Sequence, residues 1–379
     1  MQWNKKLRKN LNWYIPVATF LLIIIGLLAI SSAVEVNQVN SVGGYYLRTQ
    51  VVSIIMGIIL IIFLQFFDYN SFNHYSSIIY LATISVLFII LLIGYTVAGG
   101  QRWINFGPIN FQPSEMAKIA MILVLASVID KNQEQLQSLR GFVKPFIVIL
   151  IPFLLILRQN DLGTALVLLA IFIGMLYVGG ANGRIMAVIF GGGFTVVVMF
   201  ILSHFIFGTP LVFIKPYQLN RLIVFVNPGI DPGGIGYNLI QSMIALGSGQ
   251  VLGKGWFSGT QNQLRFLPEK HTDFIFSVVG EEFGFIGIMI IVLLYMFLLW
   301  QIFNIAANAR ENYGKLIAAG VGSMFFFQVF QNIAMTMGMM PITGLPLPFI
   351  SYGGSSMLSS LIAIGLVLNV NMRRKKILF

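Results

Sequence analysis

The sequence predicts an all-α polytopic membrane protein of about ten transmembrane helices, forming a single domain over residues 1–379, and three observations carry this. Hydrophobic residues make up 57% of the chain and charged residues 9%, where soluble domains run to about a quarter charged. The charges leave long gaps: 25 residues between Lys9 and Glu35, 19 between Arg48 and Asp68, and 57 between Lys315 and Arg373. A bilayer core of about 30 Å takes about 20 helical residues, so the last gap holds two crossings. The basic residues are also sorted by side. Fourteen of the 23 Lys and Arg fall in the two tails and the loops on their side, while the short loops opposite hold Arg48, Arg102 and Arg158. By the positive-inside rule both termini are cytoplasmic.

In chain order the helices centre near Ile23, Ile58, Val86, Leu123, Leu150, Leu169, Val197, Ile290, Phe325 and Ile362. The first resembles a signal peptide, with small residues at Ser31, Ser32 and Ala33. Its apolar run is longer than a signal h-region and many more such runs follow, so it reads as a retained helix. Pro113 suits the first turn of the fourth. Lys131, Arg140 and Lys144 mark the inside loop before the fifth, and Arg158 its outer end. Asp161 stands at the start of the sixth. Between the seventh and eighth, a long loop from about Gly208 to Asp273 faces out. Its stretches "LVFIKPYQLNRLIVFVNP" and "GYNLIQSMIALGSGQ" alternate apolar and polar residues, which suits short helices lying in the interface. The last outside loop, "PITGLPLPFISYGGSS", is uncharged and proline-rich. Irregular backbone at that depth needs protein or water around it, so it is expected to re-enter and line a cavity.

The chain has no cysteine, which excludes disulfides, thiolate nucleophiles and Cys-based metal sites. The net charge of +11 reports which loops face the cytoplasm rather than a nucleic-acid partner. Three scattered histidines make no metal triad.

Ionised groups at membrane depth are expensive and usually functional, and three outside features hold them. Glu115 and Lys118 sit three apart on one face of the fourth helix. Two readings are open: a self-neutralising pair, or the polar wall of an outward cavity. In "RQNDLGTA", Asp161 reads as a helix cap or as a second cavity group. In "FLPEKHTDFIFSVVGEEFG", Lys270, His271 and Asp273 stand at the mouth of the eighth helix, where Asp273 reads as a cap or a reactive carboxylate. Glu281 and Glu282 lie two turns deeper and point to different sides, so at most one is expected to face a shared cavity. Upstream, "GSGQVLGKG" fails the phosphate-loop pattern. Its glycines read as turn residues, with Lys254 as a contact for a lipid phosphate in the alternative. Trp103 and Trp256 read as interfacial belt residues, or as sugar platforms.

These motifs, "GGQRWINFGPINFQPSEMAKIA", "DLGTALV", "GSGQVLGKGWFSGTQNQLRFLPEKHTDFIFSVVGEEFGFIG" and "GMMPITGLPLPFISYGGSS", resemble the signatures of the SEDS family of cell-wall polymerases, in family order and over nearly the whole chain. The "GKGWFSGTQNQLRFLPEKHTDFIF" form is similar to the rod-shape elongation branch. The resemblance implies a glycosyltransferase of the bacterial inner membrane that polymerises lipid II into peptidoglycan strands, its active site facing outward. It implies a class B penicillin-binding protein as partner and Asp273 as the essential acid. Glu115 and Lys118 match the family's QPSExxK pair, and Arg48, Arg102 and Arg221 its outside basic positions. Two departures stand out: Asn160 where the family has Pro, and Asn227–Pro228 where Asp–Pro is usual.

Polymerisation joins a sugar hydroxyl to the anomeric carbon of a lipid diphosphate. It needs a base, here Asp273, and positive charge for the leaving diphosphate. Candidates for substrate contact are Arg48, Arg102, Glu115, Lys118, Asp161, Arg221, Lys254, Lys270 and His271. No metal ligand set is assigned. A divalent cation, Mg²⁺ or Mn²⁺, is expected to arrive with the substrate diphosphate rather than in a protein cage. The rival reading is a lipid II flippase, which needs a polar path reaching the inner side as well. A scaffold would not need Asp273.

Overall fold

The computed structural model describes residues 11–34, 42–97, 100–106, 109–208, 215–264 and 266–374. The basic tails at 1–10 and 375–379, on which much of the topology expectation rests, lie outside the described residues. Within them, each predicted centre falls in one helix: α1 (Tyr14–Ala33), α2 (Val42–Gln65), α3 (Ser76–Ile93), α4 (Pro113–Lys131), α5 (Leu139–Arg158) and α6 (Leu162–Val178). Then follow α7 (Gly192–Phe207), reached from a turn at Gly183–Met186 through a π turn at Ala187–Gly191, and two shorter helices, α8 (Pro216–Val226) and α9 (Ile235–Ser248). The chain finishes with α10 (Ile275–Ala307), α11 (Asn312–Thr336) and α12 (Gly354–Met372). Eight of the helices are long and apolar enough to cross a membrane, and α6 is a shorter apolar one. The tenth is α4, which carries Glu115, Lys118, Asp130 and Lys131 and so is too charged to count on composition alone.

Burial sorts these helices into a centre and a rim. Over their most apolar 18-residue stretches, α12 is 89% buried and α11 72%, whereas the stretch from Gly183 to His204 is 6% buried. The central α11 packs on α10, α6 and α4, while α12 runs along α2. Polar side chains inside this core are spent on backbone groups that no helix satisfies. Among the irregular residues between α11 and α12, Gln331 Nε2 donates to the Pro341 carbonyl at 2.9 Å. Asn332 Nδ2 donates to the Leu345 carbonyl at 2.8 Å. Gln50 on α2 donates to the Ser351 carbonyl at 3.2 Å and accepts from Gly353 N at 3.1 Å. Side-chain amides thus do for this segment what a helix would do for itself, which irregular backbone at membrane depth requires.

Two features were not visible in the sequence. A three-stranded antiparallel meander joins α3 to α4: β1 (Tyr95–Val97), β2 (Gly100–Phe106) and β3 (Ile109–Phe111). The second is a break in α10 at Gly284, where φ is 64° and ψ −163°. Here a side chain could not be placed, since a Cβ would lie 2.3 Å from Gly253 N. The loop after α9 mends the break. Phe285 N donates to Gln250 O at 2.9 Å and Ile286 N to Val251 O at 3.2 Å. In return Lys254 N and Gly255 N donate to the carbonyls of Glu281 and Glu282 at 3.0 and 2.9 Å.

Candidate active site

The meander, the N-terminal turn of α4, the α5–α6 turn, α8 and the loops flanking α10 and α12 enclose a cleft of about 660 Å³. Four carboxylates face it: Glu115, Asp161, Glu269 and Asp273. Two of them are already engaged. Glu115, buried in the first turn of α4, receives Lys118 Nζ on both oxygens, at 2.9 and 2.8 Å, and Ser359 Oγ at 2.9 Å. Asp161 caps α6 by accepting from Thr164 N at 3.1 Å and Thr164 Oγ1 at 2.9 Å. It also accepts from Gln112 Nε2 at 2.9 Å and lies 3.5 Å from Arg102 NH1. Both open readings of Asp161 therefore hold together, cap and cleft wall.

Asp273 differs. It stands in the turn just before α10, and its backbone carbonyl accepts from Asn332 Nδ2 at 3.0 Å. Burial, reinforced by Glu269, raises its carboxyl pKa to about 6, with Arg221 and Arg102 holding it from rising further. A carboxylate that titrates near neutrality accepts a proton more readily than an ordinary one, which is what a general base needs. Arg221 comes from α8, whose spacing puts Tyr217 and Arg221 four apart on the cleft side. The Arg221 guanidinium lies 5.8 Å from the centre of the Tyr217 ring. Burial lowers the pKa of Arg221, yet guanidinium stays charged at any working pH.

Of the ten residues singled out in the sequence, the structure gathers five at this cleft: Arg102, Glu115, Asp161, Arg221 and Asp273. Lys118 stays behind Glu115, 1% exposed, so it neutralises the wall without lining it. His271 sits beside the cleft, its ring packed on Tyr46 at 4.7 Å and Tyr352 at 5.7 Å, and burial lowers its pKa, favouring the neutral ring. Arg48 is exposed and is not among the residues that line the cleft.

Lys254 and Lys270 are held elsewhere in this structure. Lys254 Nζ lies 2.7 Å from Glu281 Oε1 and is bonded to Thr260 Oγ1, because the loop that mends α10 brings it there. Lys270 Nζ donates to the Asn262 carbonyl. Neither lines the cleft. Glu281 and Glu282 are both buried and neither reaches it. Glu281 also accepts from Gln261 N and Asn262 N, at 2.9 and 3.3 Å. Glu282 accepts from Ser32 on α1 and from Asn262. Trp103 lines the cleft rather than an outer belt, and Trp256 Nε1 donates to the Leu28 carbonyl at 3.2 Å.

Sequence reading missed Glu269, Tyr217, Tyr352 and Thr343, all at the cleft. Tyr217 had a usable signal, four residues before Arg221 on an amphipathic stretch. Thr343 and Tyr352 fell in the loop expected to line a cavity, and it does so from Thr343 to Pro346 and from Tyr352 to Ser356.

Known proteins match this chain along its length. "Peptidoglycan glycosyltransferase RodA" of Treponema pallidum is 36% identical over 412 residues, covering 92% of this chain and 95% of the relative. The crystal structure of the Thermus thermophilus rod shape determining protein RodA superposes with a TM-score of 0.69 at 27% identity, over 97% of this chain and 98% of that one. A chain from a structure described as a peptidoglycan synthase complex that coordinates polymerization and crosslinking gives 0.79 at 28% identity, over 97% and 99%. The family model described as "Cell cycle protein" (FtsW, RodA, SpoVE) matches residues 12–376, and with that coverage the chain, a multi-pass membrane protein, belongs to the FtsW/RodA/SpoVE family.

Proposed function

We propose that the protein is a peptidoglycan glycosyltransferase that polymerises lipid II during cell-wall elongation, at a cleft facing outward from the bacterial inner membrane. The observation that carries it is Asp273, a carboxylate with its pKa raised to about 6, facing one cleft with Arg102 and Arg221. Asp273 takes the proton of the acceptor sugar hydroxyl as its oxygen attacks the anomeric carbon of the donor. The bond from that carbon to the diphosphate breaks, and the leaving group departs as an anion beside Arg102 and Arg221. A diphosphate leaving group needs charge stabilisation rather than a proton, so one carboxylate suffices and no glycosidase-type pair is required.

A divalent cation arriving with the substrate diphosphate fits Glu269, with Asp273 kept as the base. Glu115 and Asp161 are paired with Lys118 and Arg102, whereas Glu269, which accepts from Thr272 Oγ1 at 3.2 Å, and Asp273 face the cleft with no ion pair among the described residues. One or two carboxylates with substrate phosphates and water are a usual Mg²⁺ environment. Bound there, the ion would add positive charge to the leaving group. The partner is a class B penicillin-binding protein, a reading supported by the similarity to a chain of a synthase complex.

The test is glycan-strand synthesis by the purified protein from purified lipid II, with and without the co-purified transpeptidase. Strands are expected, and faster with the partner. Transport of lipid II across vesicles without any strand would leave the flippase reading instead.

A further inference from the structure

The cleft presents buried polar atoms that have no hydrogen-bond partner among the described residues: Nε of Arg102, Nε1 of Trp103 and Oγ1 of Thr343. Native proteins leave few such atoms, because a buried donor or acceptor without a partner is costly. Where they line one cleft, a ligand is the natural partner. The two N–H groups suit an anion and add to a cationic wall already described. Thr343 is different: it is neutral, 8% exposed, and immediately precedes the residue that approaches the base.

Its placement is tightly determined. The following residue, Gly344, adopts φ 75°, and a Cβ there would lie 3.2 Å from Asp273 Oδ2. A single amide, Asn332 Nδ2, donates to both the Leu345 carbonyl and the Asp273 carbonyl, at 2.8 and 3.0 Å. Farther along, Ser351 Oγ donates to the Thr272 carbonyl at 2.7 Å. The Thr343 segment and the Asp273 turn are thereby fixed to each other as one unit, and both residues line the cleft.

We propose that Thr343 is a substrate-binding residue of the acceptor subsite, its Oγ1 hydrogen-bonding a neutral hydroxyl or amide oxygen of the acceptor sugar. This rests on the polymerase reading above and deepens it. The group beside Asp273 must be the acceptor, since its hydroxyl gives up the proton to that carboxylate. A neutral hydroxyl matches a sugar, whereas the diphosphate is matched by Arg102 and Arg221. Thr343 forms no covalent bond, and the proton passes from the acceptor to Asp273 alone.

The test compares Thr343→Val, which removes the hydroxyl at nearly constant volume, with Thr343→Ser, which keeps it. Oγ1 makes no hydrogen bond among the described residues, so the valine variant should melt at or above the wild-type temperature. Its KM for lipid II in strand synthesis should rise roughly three- to tenfold, the worth of one neutral hydrogen bond. Thr343→Ser should stay near wild type. An unchanged KM in Thr343→Val, a lowered melting temperature, or a serine variant as impaired as valine each overturns the assignment. If the wild-type protein polymerises while Thr343→Val is unimpaired, only this assignment is lost. A wild-type protein that makes no strands removes the polymerase reading, and this one with it.

Discussion

At Asp273 a cap would need only an acceptor, whereas a base needs a carboxylate that changes charge in the working range. The raised pKa sets the pH dependence. Below about 6 the carboxyl is protonated and cannot accept the hydroxyl proton, so kcat/KM should climb as pH rises through about 6 and level above it. Asp273→Asn should abolish strand synthesis at every pH while leaving the melting temperature near wild type. An asparagine variant with normal turnover would return Asp273 to a structural role. Lys118 shows the opposite case. It is buried against Glu115, so Lys118→Met leaves an uncompensated carboxylate and should cost about 3–5 kcal/mol of stability. Adding Glu115→Gln should recover most of that in a melting experiment, and failure to recover would mean the pair is not what matters there. For the cation, activity should fall in EDTA and return with Mg²⁺ or Mn²⁺. Full activity in chelator would leave Arg102 and Arg221 as the whole of the leaving-group stabilisation.

Among the elements, most of the ten helices were legible as long apolar runs, α4 with its four charges being the exception, and the loop that lines the cleft because prolines and hydroxyls cluster there. The meander was not. Two of its strands have three residues each, too short for alternation to register, yet it is what delivers Arg102 and Trp103. Nor could sequence sort the basic residues of the long loop, since all look alike in a sequence. Only the fold-back of residues 250–255 onto α10 turns Lys254 toward Glu281 and away from the cleft. Lys254→Met should accordingly lower stability by about 1–2 kcal/mol, the worth of a charged hydrogen bond discounted for partial exposure. The KM for lipid II should stay as it is. A raised KM with intact stability would put Lys254 back among substrate contacts. At the break in α10, Gly284→Ala should cost about 3 kcal/mol or more, because the new Cβ meets backbone rather than a movable side chain. A variant that melts like wild type would show that the break relaxes easily.

Over the whole molecule, the cleft occupies one end of the bundle, and the sequence foresaw that asymmetry from where its acids and lysines fall. The absence of cysteine from all 379 residues makes the orientation directly measurable. Ser258→Cys, exposed in the loop after α9, and Ser138→Cys, exposed between α4 and α5, stand at opposite ends of the bundle. In intact cells freed of their outer layer, an impermeant maleimide should label position 258 at once and position 138 only after the membrane is opened. The reverse pattern would place the cleft in the cytoplasm, where the proposed chemistry has no place.

The mended helix also carries a consequence for biogenesis. The four groups released at Gly284, two N–H and two C=O, are met by residues 250–255, which precede the helix in the chain. They have therefore left the ribosome before α10 does, and their partner strand is waiting when the helix arrives. A bilayer offers bare backbone groups nothing to bond with. A fragment starting after residue 255 would have to straighten its helix, closing the bend that the native fold keeps open. The order of synthesis is thus part of what shapes this span: the same helix, made without its preceding loop, would enter the membrane as a different one.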